Sequence, residues 1–401
     1  MLKGRRIVLG VTGGIAAYKA AELVRELIRR GAEVRVVMTA HACEFVTPLT
    51  FETLSGHRVA TDLFYRTGDY TMDHISLAEF AELVVITPAT ANVIGKLAAG
   101  IADDLLTTAL LAMPAPVLIC PAMNSHMYAH PAVQANLARL ASFGYTILAP
   151  GTGELACRTT GQGRLPEIHE IAEEIESLLT VKDLTGERIL VTAGPTREPF
   201  DPVRYISNHS SGKMGYALAL MAKRRGAEVT LVSGPTALPA PQGVQVVQVQ
   251  TALEMRAAVQ DHFKKATVVI KAAAVADYRP VDCARQKMKK KDGALQMELV
   301  CNPDILAEIC KNKGKRIVVG FAMESEDLLA NAQKKLLAKG MDFIVANDLT
   351  EPGAGFNTDT NIIRILDRQG GTESFPLMDK LEVAGVILDR VNKMRTQEKR
   401  G

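Results

Sequence analysis

The same structural opening occurs twice in this chain. Arg5 to Thr39 reads RRIVLGVTGGIAAYKAAELVRELIRRGAEVRVVMT, while Glu187 to Gly234 begins ERILVTAGPTREPF and closes SSGKMGYALALMAKRRGAEVTLVSG. Each copy is a β-branched run, a glycine-bearing turn, an amphipathic stretch ending in Arg-Gly-Ala-Glu-Val, and a second apolar strand. That is the start of a nucleotide-binding parallel sheet. The turns differ, TGGIAAYK in one copy and TAGPTREP in the other. Two sites with separate chemistries are therefore expected in one polypeptide.

At 401 residues the chain has room for two or three domains with cores of their own. A formal net charge of +3, 5% aromatic residues and no Trp leave little basis for a nucleic-acid partner. Lys3, Arg5 and Arg6 ahead of Ile7 to Ala17 imitate a signal peptide, but Gly13 and Gly14 interrupt the run and it passes into a helix bearing Lys19, Glu22 and Arg25. Leu105 to Ala138 carries no Asp, Glu, Lys or Arg, yet Pro114, Pro116, Pro121 and Pro131 break it too often for a membrane helix. No membrane partner is expected. Cys43, Cys120, Cys157, Cys283, Cys301 and Cys310 show no CxxC spacing and suit a reducing cytoplasm. His126 and His130, at i,i+4 spacing with no acidic residue between them, read as surface or pocket histidines rather than zinc ligands.

Short unbroken apolar runs mark strands of a parallel sheet covered on both faces. In the first half these are Ile7 to Val11, Val34 to Met38, Leu83 to Thr87, Val117 to Pro121 and Thr146 to Leu148, followed by a helix over Ile168 to Leu179 and a linker over Val181 to Gly186. The second half repeats the alternation at Ile189 to Thr192, Val229 to Val232, Val244 to Val249, Val268 to Lys271, Ile317 to Gly320 and Phe343 to Ala346. A last pair near Ile362 to Leu366 and a helix from about Lys380 follow. Between them Asp277 to Leu299 is polar and Lys-rich, the mark of a functional or mobile loop.

In the first half, Thr12-Gly13-Gly14-Ile15 puts free backbone N–H groups at a helix start, an anion site. The GxGxxG fingerprint is absent, and Met38-Thr39-Ala40 replaces the acidic residue expected after the second strand, so a mononucleotide fits better than NAD. Thr87-Pro88-Ala89-Thr90-Ala91-Asn92 and Pro121-Ala122-Met123-Asn124-Ser125-His126-Met127-Tyr128 fall at strand carboxyl ends, where such sheets bind ligands. With His74 in Asp-His-Ile, and Ala156-Cys157 ahead of Gly161-Gln162-Gly163-Arg164, this ordered set resembles the flavin-dependent cysteine decarboxylases. The resemblance implies FMN held by Gly13, Gly14, Thr39, Ala89, Thr90 and Asn92. It implies His74 as catalytic base, a task suited to a group titrating near neutrality. Asn124 would take the carboxylate and amide end of the substrate, and Cys157 would donate a proton from a mobile flap. In that chemistry the CH2–SH group is oxidised to a thioaldehyde, which gives the electrons left by CO2 somewhere to go. Arg158 after the cysteine and Leu165 after Arg164 depart from the family's usual Gly and Met.

In the second half, Lys271-Ala272-Ala273-Ala274-Val275-Ala276-Asp277-Tyr278 ends a buried strand with small residues and one carboxylate. Together with Ser207-Asn208-His209-Ser210-Ser211-Gly212-Lys213-Met214-Gly215, Lys287-Met288-Lys289-Lys290, Asn302-Pro303-Asp304-Ile305 and Gly320-Phe321-Ala322, it resembles the phosphopantothenate–cysteine ligase domains. The resemblance implies CTP contacts from Lys271, Ala272, Ala273, Asp277, Lys287, Pro303, Asp304, Ile305, Leu306, Phe321, Lys335 and Lys339. Lys335 and Lys339 stand four apart, on one helix face. Lys287 would serve formation of an acyl-cytidylate, Asn208 would hold that intermediate, and Asp277 would meet Mg2+. Bringing a carboxylate to a triphosphate demands such fixed positive charge.

Together the halves resemble the bifunctional bacterial enzymes of coenzyme A synthesis. The implied fold is α/β, two doubly wound Rossmann-like domains: a flavodoxin-like decarboxylase over residues 1–182 and a CTP-binding ligase over 183–401. The implied substrates are 4'-phosphopantothenate, cysteine and CTP. The implied assembly is a homo-oligomer, a dodecamer built from trimers of the first domain and dimers of the second. A peptide-cysteine decarboxylase or flavin prenyltransferase would leave the second half without a use, and a non-catalytic flavoprotein would have no need of His74 with Cys157.

Overall fold

The computed structural model describes residues 2–64, 73–154, 160–289, 295–324, 328–348, 355 and 357–398. Two compact units divide the chain, Met1–Thr180 and Val181–Gly401. Among the described residues no helix is long and apolar enough to cross a membrane.

In the first unit β1 (Arg6–Val11), β2 (Glu33–Met38), β3 (Leu83–Ala89), β4 (Val117–Pro121) and β5 (Thr146–Ile147) make a wholly parallel sheet in the order β2-β1-β3-β4-β5. Successive side chains go to opposite faces. Ile7, Leu9 and Val11 lie in the core under helices Ala17–Arg29 and Ile168–Leu179, whereas Val8 points into the core of the other face, which helices Ala91–Ala99, Leu105–Ala112 and Pro131–Ser142 cover. Both faces are covered, which explains the unbroken apolar runs. A small hairpin, β6 (Gly151–Glu154) with β7 (Thr160–Arg164), stands apart from the sheet.

The second unit carries β8 (Arg188–Ala193), β9 (Arg197–Pro199), β10 (Tyr205–Ser207), β11 (Glu228–Ser233), β12 (Gln245–Gln248), β13 (Val268–Lys271), β14 (Tyr278–Pro280), β15 (Leu299–Cys301), β16 (Ile317–Glu324), β17 (Phe343–Asp348), β18 (Thr360–Asn361), β19 (Ile363–Asp367) and β20 (Thr372–Ser374). Its main sheet runs β12-β11-β8-β13-β16-β17-β19-β20. Six strands are parallel, and β19 and β20 extend the edge antiparallel. Helices Lys213–Arg224 and Lys380–Glu398 cover one face; Ala252–Phe263, Ile305–Lys311 and Leu328–Lys339 cover the other. The stretch read from sequence as one long polar loop contributes a strand at each end, β14 and β15, paired antiparallel.

The segment read as a linker is fastened to the second unit. Leu184 is buried in its core, Lys182 Nζ donates to the Arg224 carbonyl at 2.6 Å, and Asp183 receives Arg225 at 2.6 Å. Arg225 also reaches Asp389 in the last helix at 2.7 Å, so its buried guanidinium is paired on two sides.

Candidate functional sites

The strand order of the first unit reverses between β1 and β3, where ligands of doubly wound sheets bind. Thr12, just past β1, is buried; its hydroxyl donates to the Pro88 carbonyl at 2.6 Å and accepts the Thr90 N–H at 3.1 Å. The two loops are thereby laced together across the reversal. A methyl group on Gly13 would stand 2.3 Å from His41 Cβ, so only glycine lets the first loop pass this close to the second. Thr39 accepts the Ala42 N–H at 3.3 Å and caps the short helix Ala40–Cys43. The result is a cavity of about 1040 Å³ with Gly13, Gly14, Thr39, Thr90, Asn92 and Asn124 in its wall. Ala89 is buried behind the wall, its carbonyl accepting the Ala122 N–H at 3.1 Å.

Asn124 both caps a helix and faces the cavity. Its Oδ1 accepts the His126 N–H at 2.8 Å, capping helix Ser125–Ala129, and the residue faces the cavity. His130 caps the next helix through Nδ1 and the Ala132 N–H at 3.2 Å. The β6–β7 hairpin docks on the Asn124 turn: the Met123 N–H donates to the Gly163 carbonyl at 3.0 Å, and a methyl group on Gly163, at φ +149, would meet the Met123 carbonyl at 2.2 Å. Glu154, Arg164 and Leu165 of the hairpin add to the wall. Cys157, between its strands, lies outside the described residues. His74 does not line the cavity; it sits in the first turn of helix Asp73–Phe80, its Nδ1 buried with no hydrogen-bond partner among the described residues.

Lys96, which sequence reasoning passed over, lines the same cavity and is held by Asp103 at 2.7 Å and Asp104 at 3.1 Å. Its bond to Asp103, followed by burial acting the other way and the bond to Asp104, leaves the ammonium harder to deprotonate than usual.

The second unit reverses between β8 and β13, and a cavity of about 530 Å³ opens at the carboxyl ends of its strands. Lys271, Ala272, Ala273, Asp277, Pro303, Asp304, Ile305, Leu306, Phe321, Lys335 and Lys339 all line it. Lys335 Nζ donates to the Phe321 carbonyl at 3.2 Å, and Lys339 pairs with Asp304 at 2.8 Å. Asp304 also caps helix Ile305–Lys311 through the Ala307 N–H at 3.0 Å. Burial pushes this carboxyl up, but Lys339 and the Ala307 N–H outweigh it and leave it below the usual range. Lys271 is pushed down to about 8, chiefly by burial and then by the charges of Lys335 and Lys339, with Asp304 and Asp277 offsetting part of the effect.

Two expected ligase residues stand outside the wall. Asn208 is exposed and donates from Nδ2 to the Ala274 carbonyl at 2.8 Å, next to the lining loop. Lys287 is exposed and absent from the wall, but its neighbour Met288 is tethered: the Met288 N–H reaches buried Asp201 at 3.2 Å, and Arg204 donates to the Met288 carbonyl at 2.9 Å. The Arg204 guanidinium, with the Val203, Arg204 and Met288 N–H groups, holds the Asp201 carboxyl far below its ordinary range. Lys290 is outside the described residues. The structure adds Asn347, Asn361 and Lys380 to the wall, residues that no sequence motif marked.

The family model described as Flavoprotein matches residues 1–180, and that described as DNA/pantothenate metabolism flavoprotein C-terminal domain matches residues 184–394. Full-length relatives called coenzyme A biosynthesis bifunctional protein CoaBC occur in Bacillus subtilis, 49% identical over 99% of this chain and 99% of that one, and in Vibrio cholerae, 47% identical over 98% and 99%. The Escherichia coli K12 protein of the same name is 47% identical over 97% of each chain. Among solved structures, the C-terminal domain of a CoaBC protein is 46% identical, covering 53% of this chain and 100% of that one with a TM-score of 0.46. A PPC decarboxylase mutant complexed with pantothenoylaminoethenethiol is 30% identical, covering 43% and 97% with a TM-score of 0.39.

Proposed function

The chain belongs to the bifunctional coenzyme A biosynthesis family, with decarboxylase and ligase activities on one polypeptide, and from that premise we propose how its two cavities divide the work. The second unit joins 4'-phosphopantothenate to cysteine at the expense of CTP. The first decarboxylates the resulting 4'-phospho-N-pantothenoylcysteine to 4'-phosphopantetheine. The observation that carries this reading is the contrast between the two reversal points: one cavity is built on a glycine cradle, the other around Lys271, Lys335 and Lys339.

The first unit is a flavin domain, and FMN is the form proposed for it. The cradle at Gly13, which any side chain would fill, and a cavity of about 1040 Å³ suit a mononucleotide. A bound flavin supplies the two-electron acceptor for oxidation of the substrate's CH2–SH group and gives the electrons back after CO2 leaves. Gly13, Gly14, Thr39, Thr90 and Asn92 would hold it. Asn124, whose neutral amide does not repel an anion, would bind the substrate carboxylate. The imidazole of His74 would take the proton in the oxidation step, and the Cys157 thiol would deliver one to the enethiolate carbon, so the overall change is loss of CO2 alone.

In the ligase cavity a carboxylate oxygen of 4'-phosphopantothenate attacks the α-phosphorus of CTP, and pyrophosphate leaves. The cysteine amine then displaces CMP from the acyl-cytidylate. Lys271, Lys335 and Lys339 supply fixed charge for the triphosphate. Mg2+ would arrive with the triphosphate and keep most of its waters, a mode that needs few protein ligands and that Asp277 on the wall can serve. Lys287 and Asn208 are proposed for formation and retention of the acyl-cytidylate. The assembly proposed is a homo-oligomer of twelve chains built from trimers and dimers.

Incubation with 4'-phosphopantothenate, cysteine, CTP and Mg2+ should release pyrophosphate, CMP and CO2 in equal amounts and yield 4'-phosphopantetheine. Pyrophosphate without CO2, in protein loaded with FMN, would overturn the decarboxylase assignment.

A further inference from the structure

We propose that Lys19 is the specificity residue of the first cavity, the cation that receives the phosphate monoester at the far end of the decarboxylase substrate, an inference that rests on the decarboxylase reading above. Lys19 lines the cavity with Gly14, Ile15 and Tyr18, and it is half-buried there. Ile15 and Tyr18 are 59% and 53% exposed, so this part of the wall is the mouth.

The other two basic side chains of the wall, Lys96 and Arg164, already have partners. Lys96 pairs with Asp103 at 2.7 Å and Asp104 at 3.1 Å, and Arg164 pairs with Glu167 at 2.9 Å. Lys19 makes no ion pair or side-chain hydrogen bond with any described residue, although Glu22 stands three residues on, a neighbour along the helix. Its position is also unfavourable without a ligand. Helix Ala17–Arg29 has no acidic residue in its first turn, and a cation there opposes the positive end of the helix dipole. A bound anion offsets that cost. Glu154, the carboxylate of the wall without a described partner, belongs to the hairpin that docks on the Asn124 turn.

Strand order gives the cavity two ends. Asn124 follows β4, Lys19 follows β1, and β3 lies between them, so the two residues enter the cavity from strands two spacings apart, about 10 Å. 4'-Phospho-N-pantothenoylcysteine is a long linear molecule with a carboxylate at one end and a phosphate monoester at the other. With its carboxylate at Asn124, its phosphate is carried toward the β1 side, where Lys19 is the cation without a partner. The flavin phosphate has donors of its own in the cradle of Gly13, Gly14 and Thr39. An ammonium on a flexible stem acts as a point charge. Charge is what separates the phosphorylated substrate from an unphosphorylated cysteine amide.

The test compares steady-state CO2 release from 4'-phospho-N-pantothenoylcysteine and from N-pantothenoylcysteine by the full chain loaded with FMN. In the wild type the phosphorylated compound should have the lower KM. Lys19→Met should lower the ratio of the two kcat/KM values roughly tenfold or more, through the KM of the phosphorylated substrate, and Lys19→Arg should restore most of it. FMN retained after gel filtration should match the wild type. An unchanged ratio in folded Lys19→Met, or a wild type indifferent to the phosphate, overturns the proposal. So does loss of FMN with equal loss on both substrates, which would give Lys19 to the flavin phosphate. Lys19→Gln carries the same test if Lys19→Met does not fold. A wild type that holds FMN and releases CO2 from neither compound would instead sink the decarboxylase reading.

Discussion

Lys271 illustrates how far a single residue's chemistry depends on what the fold packs around it. An unfolded lysine titrates near 10.4, whereas burial and two neighbouring lysines bring Lys271 to about 8. Between those values the unfolded chain binds the extra proton, so this residue's contribution to stability should be complete above about 10.4 and lost as pH falls through about 8. A triphosphate favours the charged form, so CTP binding above pH 8 should take up a proton and weaken as pH rises. Calorimetry in buffers of different ionisation enthalpy measures the uptake, and Lys271→Met should abolish it; equal uptake in the variant would assign the proton elsewhere. His74 makes the complementary point. His74→Asn should reduce CO2 release at least about a hundredfold while pyrophosphate release from CTP continues at the wild-type rate. Parallel loss of both activities in a folded variant would argue against separate sites.

Among the elements, the β6–β7 hairpin is the clearest case of sequence and structure giving different halves of an answer. Its glycines read from sequence as a mobile flap around Cys157, and the structure gives Gly163 a further reason: its carbonyl accepts the Met123 N–H at 3.0 Å, and a methyl group there would stand 2.2 Å from the Met123 carbonyl. The base of the hairpin is pinned to the turn that presents Asn124. Gly163→Ala must push that backbone contact apart in a conformation L-residues avoid, a cost of about 1–3 kcal/mol. We expect decarboxylase turnover to fall roughly tenfold or more, with the ligase reaction unchanged. Steady-state CO2 release decides it, and unaltered turnover would mean the docking has no bearing on catalysis. The segment at Asp277 to Leu299 taught the converse lesson: its ends pair as β14 and β15 although neither shows clear alternation, because three-residue strands are specified by their partners more than by their own pattern.

For the molecule as a whole, two units with their own cores and their own cavities predict separable activities. Expressed apart, residues 1–180 should bind FMN, and residues 181–401 should release pyrophosphate from CTP and 4'-phosphopantothenate. Failure of the second piece to fold would show that it needs the first. The division into strands and covering helices was legible in the chain because a parallel sheet buried on both faces demands unbroken apolar runs, and those are local in sequence. Gly13, Thr39, Thr90, Asn92 and Asn124, to which the family resemblance pointed, line the first cavity because each follows a strand and strand carboxyl ends converge. Strand order and register brought in the rest. Lys96 enters the first cavity from within helix Ala91–Ala99, a turn past the loop that sequence could flag. Asn347 and Lys380 reach the second from the end of β17 and the start of the last helix, 76 and 109 residues beyond Lys271. Which distant residues share a wall depends on the order in which strands pair, and that is a property of the closed sheet that no local pattern encodes.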